Sequence, residues 1–202
     1  MIELVPTFVL FFAVIDPIGS VPVFVAVTGG HGQAERRKIA LKAIFVSALI
    51  LVFFVAAGEL ILTAMDIPLA AFQTAGGIVL FLFALSMIFG ESKPDEELKL
   101  ASRGDDTAIF PLAVPSIAGP GAMLAAVLQT ENAQFSVWEQ AQTTVIILIV
   151  LSIALVLMLC ASAVQRLLGD SCTSIVSRVM GLILASMAVS SVLSGIKEYF
   201  AL

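Results

Sequence analysis

The sequence predicts an all-α integral membrane protein: six transmembrane helices forming two inverted three-helix repeats, with helices 1 and 4 broken at the midplane. Three observations carry this expectation. Of the 202 residues, 60% are apolar and 12% charged, with a mean hydropathy of +1.10, against about 45–50% and about 25% in soluble domains. The apolar residues come in blocks of eighteen or more, the length that crosses a roughly 30 Å hydrocarbon core. Two of those blocks carry a proline–glycine interruption near their centres.

The blocks place spans at roughly 4–28, 41–64, 67–90, 108–130, 142–164 and 177–199. A signal peptide is not the expected identity of the first, which carries Glu3 where a basic n-region belongs and is too long for an h-region. The connectors are 29–40, a tight turn at Asp66, the charged loop 91–107, then 131–141 and 165–176. One transmembrane domain over 1–202 results, with repeat one at 1–90, a cytoplasmic linker at 91–107 and repeat two at 108–202. Nine of the ten Lys and Arg flank the first, third and fifth connectors, and Lys197 alone falls on the other side. The positive-inside rule therefore places those connectors in the cytoplasm and both termini outside it, in a cytoplasmic (inner) membrane. Trp138 and Tyr199 fall at the outer boundary, where amphipathic rings settle.

Three spans per half force opposite orientations, so any likeness between the halves is an inverted repeat. The first span contains Asp16-Pro17-Ile18-Gly19 and the fourth Gly119-Pro120-Gly121-Ala122; Pro17 and Pro120 lie 103 residues apart. Gly76 and Gly181 lie 105 apart, and the 14-residue interval from Gly76 to Gly90 recurs from Gly181 to Gly195. Proline removes a backbone donor and glycine frees the chain from helical geometry. Each break reads as a helix restart, with Asp16 or Gly119 at the N-cap and proline in the first turn. The second half-helices then aim positive dipole ends at the membrane centre and the first halves aim carbonyl ends there. A zwitterion matches that field, its carboxylate at Gly119–Ala122 and its ammonium near Asp16. An intramembrane carboxylate is functional by default, and Asp16 can also carry a coupling proton. The bland alternative is a kink at each proline and a protonated Asp16 that only caps.

The remaining candidates are weaker. Glu59, near the outer end of its span, suits a gate or the interface better than the midplane. Gly76 and Gly77, with Gly90, Gly181, Ala185, Ala188 and Gly195, suit close helix contact first and substrate contact second. That small face can pack within one chain or between copies in a homo-oligomer. Thr74 can offer its hydroxyl to a cavity or bond back to its own helix. His31 is expected to be solvated, and Cys160 and Cys172 reduced. No phosphate-binding G-x-x-x-x-G-K-[ST] loop, no histidine within a span and no basic stripe appear. ATP hydrolysis, intramembrane Ser–His or His–metal catalysis and nucleic-acid binding are therefore not expected, nor is any cofactor.

The segments 10–19 (LFFAVIDPIG), 57–59 (AGE), 74–81 (TAGGIVLF), 110–121 (FPLAVPSIAGPG) and 178–185 (RVMGLILA) resemble the MarC family, six-span membrane proteins also described as neutral amino acid transporter-like. Ser20 stands where that family commonly has asparagine, exchanging an amide for a hydroxyl. The resemblance implies a 3+3 inverted repeat with a midplane site between two broken helices. It also implies transport of small neutral amino acids such as glycine or alanine, with H⁺ or Na⁺ as coupling ion. A substrate site of Asp16, Pro17, Ile18, Gly19, Ser20, Thr74, Gly76, Gly77, Gly119, Pro120, Gly121 and Ala122 follows, with Asp16 and Glu59 in coupling or gating. The resulting expectation is a secondary transporter working by alternating access in the bilayer. The alternative is a channel-like or accessory scaffold with no dedicated substrate.

Overall fold

The computed structural model describes residues 3–89, 107–131 and 135–200, without the side chains of 162 and 164–174. The expected linker 91–107 lies outside the described residues except for Thr107, as does Gly90. Every regular element among the described residues is helical. They are α1 (Leu4–Ile15), α2 (Ser20–Val27), α3 (Gln33–Ala64), α4 (Leu69–Phe89), α5 (Ala108–Ile117), α6 (Pro120–Leu128), α7 (Val137–Leu159) and α8 (Ala161–Tyr199). Five stretches are long and apolar enough to cross a membrane, α1 and α2 counting together; α5 and α6, bent by 54°, make a sixth if taken as one.

Local chemistry sets the ends. The turn at Asp66 is a Schellman motif: Asp66 adopts φ 54°, Ile67 N–H bonds the Leu62 carbonyl and Asp66 N–H the Thr63 carbonyl. α7 starts on a capping box in which Ser136 and Glu139 satisfy each other's backbone N–H. α2 ends under a clamp the sequence did not announce, with Arg36 Nε donating to the Thr28 and His31 carbonyls at 3.0 and 3.2 Å. A cationic donor suits the carbonyl end of a helix.

Three expectations need correction. The second span is longer than 41–64, because the Glu35-Arg36-Arg37-Lys38 stretch, expected in a connector, already forms the first turns of α3. All four are good helix formers, so charge ends the apolar block without ending the helix. The connector 165–176 is helical too, since α8 begins at Ala161, directly after a corner at Cys160. The fifth span accordingly shifts from 142–164 to α7. The third correction concerns the fourth span. Its first half is no regular half-helix: α5 winds in wide π-type turns, with Phe110 and Val114 extended and Pro111 and Pro115 inside. A residue before proline is pushed out of the α region, and two prolines four apart repeat the fault. Its carbonyls therefore do not line up into the expected dipole end.

α1–α2 and α5–α6 occupy the middle. In the first span 67% of the apolar window is buried, against 22% for α3, α4 and the α8 span. The outer helices pair as α3 with α7 and, most extensively, α4 with α8. Small residues permit the second pairing: a Cβ on Gly77 would come within 3.0 Å of the Ala188 carbonyl, and one on Gly195 within 2.7 Å of the Ala70 carbonyl. The glycine face of α8 is thus spent inside the chain. Outward, Phe45, Leu49 and Phe53 on α3 and Leu182 and Leu193 on α8 are exposed, as lipid-facing side chains are.

Candidate functional site

The chain leaves helical geometry at Asp16, whose φ and ψ of 48° and 68° are left-handed, an uncommon state that Asp tolerates better than most residues. Asp16 is 1% exposed. Its Oδ1 accepts the Gly19 N–H at 3.0 Å and its carbonyl accepts the Ser20 N–H at 3.1 Å. The carboxylate therefore satisfies a main-chain donor three residues on, but the expected N-cap is not where it was placed. Asp16, in its left-handed conformation, is the C-cap of α1, Pro17 to Gly19 form a turn, and α2 starts at Ser20 with Gly19 as its N-cap. Gly19 is required there, because a Cβ would overlap the carboxylate itself.

The second interruption lies at Ala118 and Gly119. Gly119 is extended, φ −78° and ψ 169°, with Pro120 in the first turn of α6. The first regular bond of α6 runs from Met123 N–H to the Gly119 carbonyl at 3.0 Å, so the Gly121 and Ala122 amides precede the ladder. Both residues are buried, and a Cβ on Gly121 would meet Leu80 at 2.8 Å and Val14 at 3.9 Å.

The two interruptions are joined by hydroxyls. Ser116 Oγ donates to Ser20 Oγ at 3.2 Å, and Ser20 Oγ donates to the Asp16 carbonyl at 3.0 Å. Ser47 Oγ on α3 bonds the Ala113 carbonyl at 3.4 Å, tying α5 to the same neighbourhood. All three serines are buried, and each such bond contributes about 0.5–1.5 kcal/mol net. Ser47 and Ser116 were not among the expected site residues; a serine inside an apolar span was the available signal. Thr28 and Thr130 carry a second overlooked signal. They lie 102 apart, are both buried, and each donates to the carbonyl four residues earlier at 2.6 Å.

A cavity of about 310 Å³ opens between α1, α4, α6 and α8. Gln73, Gln129, Ser190 and Ser191 supply its polar wall and Leu10, Leu80 and Leu124 its apolar one. Leu80, which closes over Gly121, is shared between cavity and break. Asp16, Gly19 and Ser20 do not line this cavity.

The other expected site residues disperse. Pro17 is buried in the first break and Ile18 half-buried. Thr74 Oγ1 donates to the Ala70 carbonyl at 2.8 Å and lies against Gly195, so it serves the α4–α8 contact. Gly77 packs on Ala188 and Val192. Gly76 and exposed Pro120 line a different cleft of about 300 Å³ with Phe54, Phe72 and Val79, almost wholly apolar. Glu59 is half-buried and adds its charge to that felt by Glu131. Desolvation first, then Glu198 and Glu59, raises the Glu131 carboxyl above its ordinary range. Among the described residues no group of three His, Cys, Asp or Glu could hold a metal ion. Cys160 is a free, exposed thiol, and the Cys172 side chain lies outside the described residues.

The family description "MarC family integral membrane protein" matches residues 1–200. The chain is similar to the UPF0056 membrane protein MJ1677 of Methanocaldococcus jannaschii, 34% identical over 189 residues that cover 92% of each chain. It is similar to the UPF0056 membrane protein YvbG of Bacillus subtilis, 33% identical over 202 residues, 98% of this chain and 95% of that one. A UPF0056 membrane protein of Aquifex aeolicus is 32% identical, covering 96% and 92%. No solved structure matches the chain.

Proposed function

The chain belongs to the MarC family of integral membrane proteins, and from that premise we propose that it is a secondary transporter of small neutral amino acids, such as glycine or alanine. It works by alternating access in a cytoplasmic membrane, with both termini outside and H⁺ or Na⁺ as coupling ion. The observation that carries this is the hydroxyl bridge from Ser116 to Ser20, which brings two main-chain interruptions from opposite halves into contact.

The packing supports two inverted repeats. Exchanging α1 with α5, α2 with α6, α3 with α7 and α4 with α8 turns the α1·α7 contact into α3·α5, α2·α7 into α3·α6, and α2·α8 into α4·α6. The same exchange turns α1·α6 into α2·α5, and all of these contacts are present, while α1·α8 has no α4·α5 counterpart of like extent. Such repeats place a substrate at their interface near the midplane, where unwound backbone is tolerated because it lines protein or a cavity.

The Gly121 and Ala122 amides at the start of α6 receive the substrate carboxylate, since amides ahead of the ladder and the helix dipole both favour an anion. The substrate ammonium faces the Asp16 region. The cavity beside Gln73 and Gln129 is the approach, and Leu80 is the thin barrier between it and Gly121. Loading purified protein into liposomes with unlabelled alanine and adding labelled alanine or glycine outside tests this. Transient accumulation inside is expected. A gradient-insensitive leak, or no flux of any small amino acid, overturns it.

A further inference from the structure

At the far end of the molecule from the Gln73 cavity, the turn between α2 and α3 meets the corner between α7 and α8. A cleft of about 280 Å³ lies there. Its floor is apolar, made in part by Phe24 and Met158, both almost fully buried. Its rim carries hydrogen-bond donors: His31, Gln33, Arg36 and Arg37. We propose that this cleft binds the phosphate group of an anionic membrane lipid.

Arg36 is fixed in place by the carbonyls it caps. The bonds to Thr28, His31 and Gly29 come from Nε and Nη2, and a guanidinium holds five N–H donors, so the Nη1 edge takes no part in that clamp. Arg37, one residue on, is exposed, and among the described residues it makes no hydrogen bond or ion pair. His31 meets Glu35 through Nε2 at 4.0 Å, while its Nδ1 is buried with no hydrogen-bond partner among the described residues. Planar guanidinium forks match phosphate oxygens in two-point contact.

The choice of a lipid over a free phosphate follows from the floor. Phe24 and Met158 belong to helices long and apolar enough to cross a membrane, and the arginines stand in the first two turns of α3. A ligand filling both zones is charged at one end and apolar at the other. Two basic side chains at the boundary are also what draws an anionic leaflet. Bridging the α2–α3 turn to the α7–α8 corner, the lipid would tie the first half of the chain to the second.

Native mass spectrometry of the full chain, purified in the presence of phosphatidylglycerol or phosphatidylcholine, tests this. One phosphatidylglycerol is expected to stay bound at least tenfold more often than phosphatidylcholine. Arg37→Ala is expected to cut its retention about tenfold, while Lys197→Ala, which removes one positive charge elsewhere, leaves it unchanged. Gln33→Ala, a milder change, should lower retention in the same direction and serves if Arg37→Ala does not fold. Equal retention of the two lipids overturns the proposal, as does an unaffected Arg37→Ala protein. Displacement of phosphatidylglycerol by millimolar inorganic phosphate, with equal thermal protection by phosphate alone, overturns it as well.

Discussion

Gly121 and Gly77 are both buried small residues in spans, yet alanine at each should do opposite things. At Gly121 a new Cβ meets a Leu80 methyl at 2.8 Å, with Val14 next at 3.9 Å. Carbon atoms are comfortable at about 3.5–4.0 Å, so Leu80 must retreat by about 1 Å. It has somewhere to go, because it lines the cavity of about 310 Å³. The cost is that of an off-minimum rotamer, about 0.5–1.5 kcal/mol. At Gly77 the new Cβ meets Val192 at 2.8 Å, the Ala188 carbonyl at 3.0 Å and the Val192 amide nitrogen at 3.1 Å. Backbone cannot step aside, so α4 and α8 must separate along their largest contact, an overpacking cost of about 1–3 kcal/mol. Gly121→Ala should therefore stay folded, with a thermal midpoint within a few degrees of the parent, while losing about tenfold in alanine counterflow. Its methyl crowds the amides proposed to bind carboxylate, and tenfold corresponds to about 1.4 kcal/mol. Gly77→Ala should lose stability first, in a denaturation titration of detergent-solubilised protein. Gly30→Ala, with nothing within 4 Å of its new methyl, is the control. Normal exchange by a well-folded Gly121→Ala protein would refute the carboxylate assignment, and a parent-like Gly77→Ala would refute the packing argument.

Asp16→Asn keeps an oxygen that can accept the Gly19 N–H, so the fold should survive; under the proposed function exchange should fall by at least tenfold, because the carboxyl group proposed to meet the substrate ammonium is gone. For Glu131 the raised carboxyl means the folded state holds its proton more tightly than the unfolded one. Its stabilising contribution is thus complete below the ordinary carboxylate range and fades as pH climbs through the raised value. Thermal midpoints of the parent measured between pH 4 and 7 should decline relative to Glu131→Gln, and parallel curves would contradict this. A reporter enzyme active only outside the cytoplasm should be active when fused after Leu202, and a cytoplasmic reading there would invert the whole assignment of sides.

Much of the architecture was written in composition, because a bilayer imposes a length and polarity rule on every span. The Asp66 turn and the Asp16 break were equally legible, since a proline next to aspartate and a short polar interruption leave the chain few options. Helix ends were not. Glu35, Arg36, Arg37 and Lys38 stop an apolar run but favour the helix, so hydropathy and propensity gave different boundaries for α3. Site membership was harder still. Gln73 and Thr74 are neighbours on one helix, about 100° apart in rotation, so one faces the cavity and the other Gly195. Which of two adjacent polar residues lines a site depends on which neighbour packs where. Ser116 needed tertiary structure as well, since its partner lies 96 residues away.

The two interruptions differ in a way that matters for the chemistry. The first is held by a side chain: Asp16 folds back onto Gly19 and brings a buried carboxylate with it. The second carries no side-chain cap on Gly119, and irregular backbone precedes it in place of a helix. The two breaks therefore differ in their electrostatics. A pair of identical breaks would present two like poles and suit a symmetric ion or none. One break bearing a carboxylate and the other bearing amides ahead of the helical ladder are what the proposed zwitterion would require, since its ammonium and carboxylate would then fit in a single orientation. For the transporter proposed above, such an orientation would let two inverted halves rock around one site without the substrate having to turn. The irregular backbone of α5 adds to this asymmetry, because under the proposed function it removes the second negative end that would have competed with Asp16 for an ammonium.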